Sequence, residues 1–180
     1  GWFIPKAEGG QREDARQLMK EMTAAGYAVI ETREAFAQLP QDKRGLGFMA
    51  KGTLDSETCL ADLTETAIAR LSQNDKGFFL MVECAITDAG GHGNKPEVTV
   101  QGTLQVDWAV KSAVEFARKQ RNTLVMVTAD HETGFLTCGF TNDPPGKLVM
   151  DYATTSHTAE PVPFFAYGPG SEKFNGKIDN

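Results

Sequence analysis

Two apolar runs constrain this chain more than any other feature. Gly77-Phe78-Phe79-Leu80-Met81-Val82 and Thr123-Leu124-Val125-Met126-Val127-Thr128 are continuous rather than alternating, the pattern of strands buried on both faces of a parallel sheet. Between them, from about Glu97 to Lys119, the residues Val106, Val110, Ala113, Val114 and Ala117 recur at helical spacing, and two parallel strands need a crossover of that kind. A helix is expected ahead of the first run, with Asp55 or Ser56 as its cap, Leu60, Leu63, Ala67, Ile68 and Leu71 as its buried stripe and an end near residues 72–75. Another spans Arg12 to Ala25 through Ala15, Leu18, Met19 and Met22, with Gly26 at the C-terminal cap. Residues 27–32 then have strand character, and residues 41–54 read as a connection. Helices alternating with strands predict an α/β chain: a three-layer α/β/α sandwich on a mainly parallel central sheet, with right-handed crossovers. Residues 135–137 and 148–150 flank a turn-like stretch and form either a hairpin or an irregular excursion, while Pro163 to Tyr167 is one more short strand.

A chain of 180 residues with 41% hydrophobic content can build one core, so residues 1–180 read as a single domain. A net charge of −6 argues against nucleic acid or an anionic membrane as the main partner. No apolar stretch approaches the roughly 20 residues of a membrane helix, and the opening five residues lack the pattern of a signal peptide. The chain as given is expected to be soluble. Cys59, Cys84 and Cys138 lack metal-type spacing and read as buried free thiols.

The chemistry is concentrated in three histidines, His92, His131 and His157, each in a loop rich in carboxylates or hydroxyls. Glu83 closes the first apolar run, and Asp130 with His131 follows the second, so ligand residues fall on one predicted sheet edge, where loops of open parallel sheets converge on ligands. Asp88 and His92 are four apart, but Gly90 and Gly91 between them favour a tight loop over a helical turn. Asp130 and His131 can share an ion only if the backbone leaves the strand there, because adjacent strand residues face opposite sides. A mixed histidine and carboxylate set suits zinc, with magnesium where only carboxylates meet. Taken singly, His157 could be a hydrogen-bonded structural histidine and Glu83 a buried carboxylate paired with a cation. Glu132 reads as a solvated residue or one that supports a ligand without touching the ion.

The ordered set Val82-Glu83, Asp88, His92, then Thr128-Ala129-Asp130-His131-Glu132-Thr133-Gly134, then Ser156-His157-Thr158-Ala159-Glu160 resembles the alkaline phosphatase family. The likeness extends to the opening Trp2-Phe3-Ile4-Pro5-Lys6 and to Ala166-Tyr167-Gly168-Pro169-Gly170. It implies that Asp88, His92 and His157 hold a first zinc ion, that Asp130 and His131 contribute to a second and that Glu83 ligates magnesium. It further implies a phosphate monoester hydrolase that works through a phosphoserine, with inorganic phosphate as product.

The family places its nucleophilic serine and phosphate-binding arginine ahead of the point where this sequence starts, so neither is assigned here, and no catalytic residue is named in this chain. Asp55-Ser56 resembles a nucleophile motif only superficially and reads as a helix cap. The expected picture is the C-terminal portion of an incomplete alkaline phosphatase-like fold, inactive or nearly so alone, from a complete protein that is a homodimer in the periplasm or outside the cell. The alternatives are a related metal-dependent phosphodiesterase or sulfatase-like hydrolase, and a non-catalytic metal-binding fragment.

Overall fold

A computed structural model of the chain describes residues 3–40, 42–48, 59–142 and 144–177. It divides into two compact units, one of residues 1–56 and 66–78, the other of residues 57–65 and 79–180.

In the first unit, helix α1 (Leu18–Ala24) leads through Gly26, at φ +86°, into strand β1 (Tyr27–Ile30). Gly26 sits where the helix must reverse into left-handed backbone, which glycine adopts at no steric cost. The helix starts at Leu18 rather than Arg12. Residues ahead of it are engaged otherwise: Arg12 bridges to Pro5 and pairs with Asp14, and Arg16 pairs with Glu21. Thr32 caps helix α2 (Arg33–Gln38) by accepting from the Ala35 amide at 3.1 Å. Strand β2 (Arg44–Gly47) then lies parallel to β1, pairing Tyr27 with Arg44 and Ile30 with Gly47. This strand occupies the stretch expected to be a mere connection. Its pairing is possible because Gly45 has no side chain: a Cβ there would come within 2.7 Å of Ile30 and Leu39. The Arg70 guanidinium, almost fully buried, donates to the carbonyls of Leu39, Pro40 and Lys43 and ties down the chain after α2.

Arg70 belongs to helix α3 (Cys59–Leu71), whose residues through Glu65 count with the second unit and the rest with the first. The expected caps Asp55 and Ser56 lie outside the described residues. Ala61, Thr64, Ile68 and Arg70 are its buried positions; of the expected stripe only Ile68 is among them, and Leu60, Leu63, Ala67 and Leu71 are half-buried.

The second unit holds helix α4 (Ile86–His92), helix α5 (Pro96–Gln120) and three antiparallel ladders. Pro96 opens α5 at the one helical position where its missing N–H costs nothing, and Arg121, at φ +61°, closes it. The most buried face of α5 carries Thr99, Gly102, Gln105, Ala109 and Ala117. Gln105 accepts from the Leu60 amide at 3.0 Å, and Ser112 donates to Glu65 at 2.7 Å, fastening the start of α3 to α5. Strand β3 (Val125–Val127) pairs with β8 (Phe165–Tyr167), β4 (Glu132–Thr133) with β7 (His157–Thr158), and β5 (Leu136–Asn142) with β6 (Pro145–Tyr152) as a hairpin.

The run at residues 77–82, expected as a buried strand, forms no ladder among the described residues, and Phe79 and Met81 are 82% and 76% exposed. A continuous apolar run records a preference for burial, whereas a strand also needs neighbours to pair with. Cys84 is half-buried and Cys138 exposed, so the latter is not the buried thiol its sequence context suggested. No helix among the described residues is long and apolar enough to cross a membrane.

Candidate metal centre

Asp88 and His92 stand one turn apart on α4, on the same face of the helix. A tight loop was the expectation here, because glycine disfavours helix. Packing reverses it. A Cβ on Gly90 would lie 2.3 Å from Thr99 Oγ1, and one on Gly91 would lie 2.6 Å from the Thr133 carbonyl oxygen. The two glycines let α4 press directly against α5 on one side and β4 on another. Gly102 gives α5 the reciprocal clearance, since its Cβ would reach the Thr87 amide at 2.7 Å.

His157 arrives from β7, whose register sets it opposite Thr133 of β4. The Gly134 amide donates to the Ser156 carbonyl at 3.0 Å, and the amides of Ala153 and Thr154 donate to the Gly134 carbonyl. With its amide nitrogen turned inward, Asn94 donates to the carbonyls of Gly91 and Thr154 at 2.8 Å each, fastening the end of α4 to the same segment.

Three ligand atoms converge as a result. His92 Nε2 and His157 Nε2 are 3.0 Å apart, and each is 3.4 Å from Asp88 Oδ1. A tetrahedral zinc ion with ligands at about 2.0–2.1 Å sets them roughly 3.3–3.4 Å apart, so the triangle has the dimensions of three corners of such a site. The tautomer also fits. His92 Nδ1 is 2.6 Å from the Thr155 carbonyl, which can only accept, so Nδ1 carries the proton and Nε2 offers its lone pair to the cluster. The Nε2 lone pair of His92, the Nε2 of His157 3.0 Å from it and a carboxylate oxygen, all facing one point, are a donor set that a cation would fit.

The Thr133 hydroxyl donates to Asp88 Oδ1 at 2.7 Å. That hydrogen bond first, and then the nearby His92, His157 and His131, hold the Asp88 carboxyl below the usual carboxylate range, against the opposing effect of partial burial. Asp88 is an anion at neutral pH.

His131 adjoins the cluster without joining it. Its ring stacks on His157 with centroids 3.5 Å apart, its Nδ1 is 3.2 Å from Thr133 Oγ1, and its Nε2 is 3.2 Å from Asp130 Oδ2. The backbone leaves β3 before Asp130, so neighbouring side chains can address one point. Asp130 is 88% exposed. Glu83 is exposed in the irregular segment ahead of α4 and is not a member of the three-residue cluster.

The sequence profile of the alkaline phosphatases matches residues 4–153. The chain belongs to the alkaline phosphatase family. It is 32% identical to alkaline phosphatase 4 of Bacillus subtilis over 92% of this chain and 52% of the relative, and 37% identical to the alkaline phosphatase of Escherichia coli K12 over 69% of this chain and 30% of the relative. It superposes on the alkaline phosphatase from the Antarctic bacterium TAB5 with a TM-score of 0.75 at 31% identity, covering 91% of this chain and 51% of that one. A variant of the TAB5 enzyme, solved with magnesium bound in its M3 site, gives a TM-score of 0.73 at 30% identity with the same coverage. The chain spans about half the length of the two Bacillus subtilis relatives it matches. It has an incomplete alkaline phosphatase-like α/β fold.

Two residues of this alkaline phosphatase chain gain roles that sequence reasoning did not give them. Thr133 links Asp88 to His131. Glu132 accepts from the Phe135 and Leu136 amides at 3.0 Å and from the Thr158 hydroxyl, and so pins the turn after β4 to β7. Partial burial works to raise its carboxyl, but those three hydrogen bonds prevail and hold it below the usual range. The only prior signal for either was adjacency to Asp130 and His131.

Proposed function

We propose that this chain supplies the metal-binding part of the active centre of a phosphate monoester hydrolase. Asp88, His92 and His157 would hold one zinc ion, Asp130 and His131 would contribute to a second, and Glu83 would ligate magnesium. A zinc pair of this kind supplies Lewis acidity to the attacking and leaving oxygens of an in-line phosphoryl displacement. The part played by the chain's own groups is positional. Thr155 keeps the proton on His92 Nδ1, β4 and β7 hold His157 in register, and Thr133 aims one Asp88 oxygen at the cluster. The observation that carries the reading is the His92, His157 and Asp88 triangle, with edges of 3.0, 3.4 and 3.4 Å, in a chain of this family.

Turnover belongs to the complete protein, in which a nucleophile and a phosphate-binding arginine join these ligands. We propose for that protein a homodimer acting in the periplasm or outside the cell, in keeping with the family. The deciding test is zinc uptake by this chain, by calorimetry and metal analysis, alongside hydrolysis of an aryl phosphate. About one equivalent bound tightly, lost in His92→Ala and in His157→Ala, with negligible turnover, is the expected result. No zinc binding, or binding indifferent to both substitutions, would overturn the metal assignment, and rapid turnover by this chain would overturn the division of labour.

A further inference from the structure

Thr133 is where the two groups of metal-facing residues meet. A hydroxyl has one proton to give and two lone pairs to accept with. Thr133 gives its proton to Asp88 Oδ1 at 2.7 Å, and so faces His131 Nδ1, 3.2 Å away, as an acceptor. His131 must then carry its proton on Nδ1. In the neutral ring Nε2 is then the unprotonated nitrogen, and with Asp130 Oδ2 3.2 Å away it offers a cation one nitrogen and one oxygen donor. The same hydroxyl therefore sets which oxygen of Asp88 and which nitrogen of His131 are offered to metal.

The direction of that hydroxyl is itself fixed. Threonine is stiff about χ1, and its methyl group is backed by α4, where a Cβ on Gly91 would come within 2.9 Å of both Thr133 Cβ and Cγ2. The backbone is held by the ladder to His157. With the methyl placed against Gly91, the hydroxyl has one direction left, toward Asp88.

We infer that Thr133 is a positioning residue that couples the Asp88, His92 and His157 cluster to the Asp130 and His131 pair, so that metal affinity at the first depends on His131 through one hydroxyl. The inference rests on the metal reading above. Outer hydrogen bonds of this kind change metal affinity by about 10–100-fold, and coupling through a shared partner shows as non-additivity.

The test uses the 180-residue chain, zinc competed against a chelator, and the visible absorption of the cobalt-loaded form. Thr133→Val keeps the methyl packing and removes the hydroxyl; Thr133→Ser does the reverse. Thr133→Val is expected to weaken zinc binding at the first cluster about 10–100-fold and to shift the cobalt bands, while Thr133→Ser stays much closer to the parent. His131→Phe preserves a ring to stack on His157, and it should weaken the first cluster in the parent but not in the Thr133→Val background. Parent-like affinity and spectrum in Thr133→Val overturns the inference, as does an equal effect of His131→Phe in both backgrounds. A parent chain that takes up no zinc removes the metal reading itself, whereas zinc uptake with an indifferent Thr133→Val removes only the coupling.

Discussion

Glu132 stabilises the turn after β4 only as an anion. Its carboxylate satisfies two backbone amides and the Thr158 hydroxyl, and they hold its folded-state pKa below the usual glutamate range. The unfolded chain therefore takes up that proton at higher pH than the folded one, so the stabilisation is fully present above the ordinary glutamate range and is lost as the pH falls through the lowered folded value. Urea midpoints measured from pH 7 downward should decline more steeply for the parent than for Glu132→Gln, and parallel curves would contradict this. At neutral pH, Glu132→Ala should cost about 1–3 kcal/mol by leaving two amides and a hydroxyl without their acceptor. The clustering histidines were legible as candidates in the sequence because histidine is scarce and each one sits beside carboxylates or hydroxyls. Thr133 was not, because its role exists only once α4 touches β4, a contact between residues far apart in the chain.

Among the elements, α4 departs most from local preference. Glycine costs a helix interior up to about 1 kcal/mol relative to alanine, so replacing Gly91 by alanine would ordinarily stabilise. Here the added Cβ meets the Thr133 carbonyl at 2.6 Å and must displace either α4 or β4. Overpacking of that sort costs about 1–3 kcal/mol. Gly91→Ala should lower the urea midpoint and loosen zinc binding together, and a rise in the midpoint would show that the contact is soft. The same tertiary override explains why the helicity of α3 and α5 was readable from their 3.6-residue spacing while that of residues 86–92 was not, and why, of the stripes expected on α3 and α5, only Ile68 and Ala117 are fully buried. Periodicity reports a face seeking burial, whereas the two glycines of α4 report how near its neighbours lie. The irregular segment at 77–84 shows the opposite failure, a strong strand pattern with no ladder beside it among the described residues.

For the whole molecule, the ladders β4–β7 and β5–β6 and the helix α4 bring distant parts of the sequence to one point, and the exposed Phe79, Met81, Met126 and Phe165 leave apolar surface in view. The α/β class followed from local signals, the helices and the run at residues 123–128, although that run's strand β3 is partly exposed and pairs antiparallel with β8 where a buried parallel strand was expected. The pairing of β1 with β2 did not, because β2 is a glycine-rich stretch that becomes a strand only beside its partner. The convergence of His92 and His157 has a consequence for chain topology. The two residues are 65 positions apart, so an ion held by both would act as a removable cross-link, closing a long loop in any state that retained it. By the loop-entropy argument used for disulfides, a closure of that length restricts the unfolded chain by about 4 kcal/mol. Zinc should then raise the melting temperature of the chain and a chelator should return it to the starting value, whereas a melting temperature indifferent to both would mean that no such closure forms.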